Sequence, residues 1–147
     1  MRKFMLTVLA VCLAACASAS TLRQQIEAVY AKFCKYAVSG NVDGVMSLMD
    51  PSFHQVGMNG DVMNCDQMRK TWETMKATVK DAKARVVVNE LHAYGDEVSA
   101  WVTVFVDFKM KQGTKWVQTS YKGKYVECLR KTAEGWKFIH SNEVREF

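Results

Sequence analysis

The chain has 147 residues, 49% apolar, 24% charged and 11% aromatic, with a formal net charge of +5. That is the profile of one ordinary globular domain, and it excludes a disordered tail, a collagen-like repeat and a two-domain enzyme. One Pro, eight Gly and five Cys likewise exclude a loop-rich or disulfide-dense mini-protein.

Residues 1–19 read as a secretory signal peptide. Arg2 and Lys3 supply the positive start, and Phe4 to Ala15 is an apolar run broken only by Thr7. The run is shorter than the roughly 20 residues a bilayer span needs. Two exits overlap. Ala17-Ser18-Ala19 fits small-residue cleavage, and Leu13-Ala14-Ala15-Cys16 resembles the bacterial lipoprotein box, with Cys16 as the lipidated residue. The expected product is exported, to the periplasm or beyond the cell, and touches a membrane only through a lipid on Cys16. Without Arg2 and Lys3 the net charge falls from +5 to +3. The remaining Lys and Arg are spread along the chain, which argues against nucleic-acid binding.

Residues 20–147 then form a single domain. Thr21 to Val38 is the first predicted helix. Thr21-x-x-Gln24 is a capping box, and Leu22, Ile26, Val29, Phe33 and Ala37 form the apolar stripe, with Tyr30 and Tyr36 on its borders. Gly40 ends the helix, and Asn41 caps a short second one stopped by Asp50-Pro51. Ser52 to Met63 reads as a small hairpin turning at Asn59-Gly60. Asn64-x-x-Gln67 starts a third helix with Cys65, Met68, Trp72, Met75 and Val79 on its apolar face.

Beyond Asp81 the period changes to that of strands. Ala84–Tyr94, Val98–Met110, Trp116–Arg130 and a last strand opening at Gly135 are separated by short turns, so they pair antiparallel as a four-strand meander. The fold class is α+β: three N-terminal helices and a hairpin packed on a strongly curved sheet. The valines of Val86-Val87-Val88 with Val102, Val104, Val106 and Phe108 are expected to leave an apolar outer face, and hence a homodimer.

Cys34, Cys65 and Cys128 remain after the signal. They read either as three small buried residues or as a Cys34–Cys65 disulfide plus a free thiol. Their spacing matches no zinc motif, no metal set is expected, and no phosphate loop, dinucleotide fingerprint or nucleophile elbow occurs. No cofactor is expected.

Two stretches carry a family resemblance: Ser39-Gly40-Asn41-Val42-Asp43-Gly44-Val45 between helices, and the closing Gly135-Trp136-Lys137-Phe138-Ile139-His140-Ser141. With the element order, they resemble the nuclear-transport-factor-2-like superfamily, nearest its polyketide-cyclase (SnoaL)-like and kinase-association-domain-like branches. The resemblance implies a cone in which the bent sheet wraps the first helix around an apolar pocket, and commonly a homodimer through the outer sheet face.

Alternation places His140 with Trp136, Phe138 and Asn142, facing into the cone as a general base or hydrogen-bond anchor. His54 is the second candidate, at the rim. Steroid-isomerase-like relatives carry a carboxylate near His54 and a tyrosine oxyanion donor where Phe33 stands, so both places depart from that chemistry. Tyr30, Phe33, Trp72, Trp101, Tyr121, Tyr125, Trp136, Phe138 and Asn142 are the expected lining. Of the strand carboxylates Glu90, Asp107, Glu127 and Glu143, Glu127 shares parity with Tyr121 and Tyr125, and Asp107 and Glu143 are read as outward. The favoured function is an exported domain that binds an apolar small molecule or another protein. The alternatives are a cyclase, isomerase or dehydratase with His140 or His54 as base, and a structural envelope-associated protein.

Overall fold

The computed structural model describes residues 20–147, so the expected signal peptide, with Cys16, falls outside the described residues. Helix α1 spans Leu22–Val38, α2 Val42–Ser47 and α3 Cys65–Thr78. Both long helices open on a complete capping box. Thr21 Oγ1 accepts from the Gln24 amide and the Gln24 side chain accepts from the Thr21 amide; Asn64 and Gln67 do the same for α3. After α1 the chain turns through Gly40 at φ +67°, which a side chain would strain, and Asn41 caps α2 through the Gly44 amide at 2.9 Å.

The strands are β1 Met49–Val56, β2 Val62–Asn64, β3 Val79–Tyr94, β4 Glu97–Gln112, β5 Lys115–Thr132 and β6 Gly135–Val144. They form one mixed sheet in the order β2-β1-β6-β5-β4-β3. This corrects the expected four-strand meander with a separate hairpin. The hairpin is itself part of the sheet, because β1 pairs parallel with β6 while every other neighbouring pair is antiparallel. A second correction falls at Val79, which opens β3 instead of closing α3.

The inner face is set by register. On β4, Val98, Ala100 and Val102 are buried, and Val104, Val106 and Phe108 continue the same parity. On β5 the matching set is Tyr121, Gly123, Tyr125, Glu127 and Leu129. The core lies where α1 crosses the sheet, with Ile26, Val98, Ala100, Val102 and Leu129 at 0–1% exposure. Of the apolar residues expected outside, Val86, Val88, Val102, Val104, Val106 and Phe108 therefore face the core or the interior cavity, and only Val87 remains on the outer face. On that outer face Phe105 lies under the Arg85 guanidinium at 3.9 Å, and Trp101 stacks on Phe147 at 5.8 Å.

The register shifts at four places, between Met49 and His54 on β1, between Lys80 and Lys83 on β3, and at two further bulges that set the parity of the site strands. One falls between Val88 and Glu90 on β3. The other is on β6, where Phe138 pairs with Leu129 and His140 with Cys128, leaving Ile139 as the extra residue. A one-residue insertion sends every side chain beyond it to the opposite face.

Candidate functional site

The concave sheet face, α1 and α3 enclose a cavity of about 680 Å³. Small-molecule sites run from roughly 300 to 1,000 Å³. Phe33, Trp72 and Met75 line it from the helices, and Ala84, Val86, Val104, Val106 and Phe108 from the sheet. The exposed residues Val38, Ser39, Lys76 and Lys80 lie along its rim.

Polar groups gather on the β5–β6 side. Tyr30, from α1, donates its hydroxyl to Glu127 Oε2 at 2.6 Å, and Ser141 donates to Glu127 Oε1 at 2.8 Å. Burial holds the Glu127 carboxyl above the usual carboxylate range, against the pull of these two hydrogen bonds toward ionisation. Tyr30 is pushed well above the usual phenol value, by burial first and by the adjoining Glu127 charge second.

Toward the mouth, Tyr121 donates to Glu143 Oε1 at 2.8 Å, and the Tyr121 and Tyr125 hydroxyls meet at 2.6 Å. Residues four apart on a strand stand about 13 Å apart at the backbone, so the two phenols meet only by leaning over Gly123. A Cβ at that position would collide with the Tyr121 hydroxyl and sit 2.8 Å from Tyr125 Cε2. Burial is also the chief cause that raises the Tyr125 phenol above its ordinary value.

Of the residues expected to line the cone, Tyr30, Phe33, Trp72, Tyr121, Tyr125 and Phe138 stand on the cavity wall. The others do not. Trp136 packs at the closed end of the core, where its indole N–H donates to Gln25 Oε1 at 3.0 Å. Trp101 sits on the outer face beside His92, because the inward positions of β4 are the even-numbered ones. Asn142 pairs with Val126 on the outer face, beyond the Ile139 bulge.

The same bulge corrects the histidine assignment. Phe138 and Ser141 point inward, and His140 between them points outward opposite Cys128. His54 pairs with it across β1 and β6, and the two rings lie 4.5 Å apart. Neither histidine can therefore act as a base inside the cavity. Glu143, read as outward from the sequence, is turned inward by the bulge to receive Tyr121. Glu90 bonds His92 at 3.1 Å, and Asp107 accepts from Ser120 at 2.6 Å.

Cys34, Cys65 and Cys128 are free thiols, so the Cys34–Cys65 disulfide is not formed. Cys34 lines the cavity, and Cys65 donates to the Asp50 carbonyl at 3.3 Å. Among the described residues no group of three or more His, Cys, Asp or Glu is placed to hold a metal ion.

The histidine pair makes a pH prediction. Burial, and then the neighbouring His54, lower the His140 pKa below the ordinary value of 6.5, and its buried Nδ1 finds no partner among the described residues. A base that ionises less readily when folded contributes stability that is present above its unfolded value and lost as pH falls through its folded value. His140→Gln is expected to lose less stability than the parent between pH 7 and pH 5 in urea denaturation. Equal losses in the two proteins would contradict this.

The SnoaL-like domain family matches residues 26–143. No curated protein sequence matches the chain. Among solved structures, a protein from Novosphingobium aromaticivorans DSM 12444 that carries a scytalone dehydratase name superposes with a TM-score of 0.71 at 12% identity, covering 85% of this chain and 84% of that one. A nuclear transport factor 2 (NTF2-like) superfamily protein from Salmonella enterica serovar Typhimurium gives 0.67 at 15% identity, covering 82% and 88%. A protein from Xanthomonas campestris named for the calcium/calmodulin-dependent protein kinase II association domain gives 0.64 at 15% identity, covering 88% and 93%. At these identities the likeness is one of fold.

Proposed function

Because the chain belongs to the SnoaL-like domain family, within the nuclear-transport-factor-2-like superfamily, we propose that its cavity holds one largely apolar small molecule with a polar end. The observation that carries this reading is the division of the wall. About 680 Å³ of space is bounded by aliphatic and aromatic side chains on most sides, while Glu127, Tyr30, Ser141 and Tyr125 converge on one. A few polar groups fix orientation and the apolar remainder supplies affinity, which is how small-molecule sites are built.

The test is a neutral solvatochromic dye such as Nile red. The parent protein is expected to bind it with a blue-shifted emission. Ala84→Trp, which places an indole in the cavity from β3, is expected to abolish the signal while leaving the far-ultraviolet circular dichroism unchanged. A dye that does not bind, or that binds the filled variant equally well, refutes the reading.

A second reading, a cyclase-, isomerase- or dehydratase-type reaction, is favoured by one observation: burial raises the proton affinity of Glu127 in the cavity wall. A carboxyl whose proton affinity is raised by burial holds a proton more readily than an exposed one, which suits a group that passes protons. In this reading Glu127 takes the acid–base role that the sequence suggested for His140 or His54, and Tyr30 positions its carboxyl.

A further inference from the structure

The hydroxyl protons on the polar wall can be accounted for one by one. The single proton of Tyr30 goes to Glu127 Oε2, and that of Ser141 goes to Glu127 Oε1. Tyr121 spends its proton on Glu143, so in the 2.6 Å contact between the two phenols Tyr125 must be the donor. What these groups still offer the cavity is oxygen lone pairs: those of Tyr30, Ser141 and Tyr125, and those left on the Glu127 carboxylate. Gln55, which pairs with Ser141 across β1 and β6, is the neighbour with both amide donors and an acceptor to give. The rings of Tyr30, Phe33, Trp72, Tyr125 and Phe138 line the same space, and an aromatic ring attracts a cation at its face.

A ligand that presents a carbonyl or carboxylate to this wall would meet donors at Gln55 alone and set lone pair against lone pair at Tyr30, Ser141, Tyr125 and Glu127. One that presents an N–H or O–H would complete it. The other charged groups on the lining are Lys76 and Lys80, both exposed at the rim on α3 and β3. The Lys80 ammonium lies 4.2 Å from the centroid of the Trp116 ring. They stand away from the Glu127 wall and leave its sign unchanged.

We infer that the cavity selects its ligand by a proton-donating end, an amine or ammonium group carried on an apolar body of one or two rings, with Glu127 as the receiving group. This deepens the ligand-site reading above and rests on it.

Four probes with one naphthalene body separate the two ideas: 2-(2-naphthyl)ethylamine, 2-(2-naphthyl)ethanol, 2-naphthylacetate and 2-ethylnaphthalene, each measured at pH 7 by displacement of Nile red from the full chain. The expected order is amine, then alcohol, with the carboxylate weakest. The amine should lead the carboxylate by at least about tenfold, the scale of a hydrogen bond to a charged group. In Glu127→Gln that lead should shrink to about threefold or less, with 2-ethylnaphthalene binding as before to report an intact cavity. If 2-ethylnaphthalene binds the parent protein but the carboxylate equals or exceeds the amine, the inference fails and the ligand-site reading survives. If no probe binds, both fail. The ranking in the parent protein decides the matter even if the Gln variant does not fold.

Discussion

Leu129→Ala is expected to destabilise the protein by about 2–5 kcal/mol, the range for removing a fully buried leucine and leaving a void. Leu129 is 0% exposed and sits on β5 opposite Phe138, at the point where α1 crosses the sheet. The strand cannot collapse into the void, because it is hydrogen-bonded to β4 on one side and β6 on the other. The loss should appear in urea denaturation as a lower midpoint with an unchanged slope. The same truncation at Val87, on the outer face and 40% exposed, should cost well under 1 kcal/mol. Equal costs at the two positions would mean that the core does not lie under α1.

Tyr30→Phe carries the second large effect. It removes the hydroxyl that donates to Glu127 Oε2 at 2.6 Å and leaves the carboxylate with Ser141 as its one remaining donor. Hydrogen bonds to charged groups contribute about 1.5–3 kcal/mol, so a loss of that size is expected at neutral pH. The pH dependence identifies its cause. The folded Glu127 pKa is already raised by burial, so its contribution to stability is present below the unfolded value of 4.5 and is lost as pH rises through the folded value. Losing the Tyr30 donor raises that folded value further. The gap between Tyr30→Phe and the parent should therefore be widest at neutral pH and narrow as acid protonates Glu127. A gap independent of pH would assign the whole cost to packing.

Much of the local structure was legible because its signals are local. Thr21-x-x-Gln24 and Asn64-x-x-Gln67 cap the helices they announce, and the turns at Gly95, Gly113 and Gly135 separate the strands. The parallel pairing of β1 with β6 was not legible, because it joins segments about 90 residues apart and leaves no trace in either pattern. Val79 continued the helical spacing of Met68, Trp72 and Met75, yet as a β-branched residue it serves the strand equally well. In Trp101-Val102-Thr103-Val104-Phe105-Val106 every position is bulky or β-branched, so inward and outward sets cannot be told apart by hydrophobicity. His140 was misplaced by the single extra residue at Ile139, which reverses an alternation that is regular on either side of it.

The candidate site divides in the same way. The parity of Tyr121, Tyr125 and Glu127 was readable along β5. That Glu127 meets Tyr30, 97 residues earlier on α1, was not, because Tyr30 lies at the border of its helix stripe and its inward direction depends on how α1 is rolled on the sheet. Gly123, between two lysines in Tyr121-Lys122-Gly123-Lys124-Tyr125, was the available sign that two phenols share one space.

The central claim is that the working surface is the inside of the cone and not the outer histidine pair. Heteronuclear NMR during titration with 2-(2-naphthyl)ethylamine tests it most directly. The account predicts ligand-dependent shifts at Ala84, Val104, Tyr125 and the Glu127 carboxyl, with the His54 and His140 imidazole signals unmoved. Shifts confined to the two imidazoles and their neighbours on the outer face, with the cavity residues silent, would contradict it.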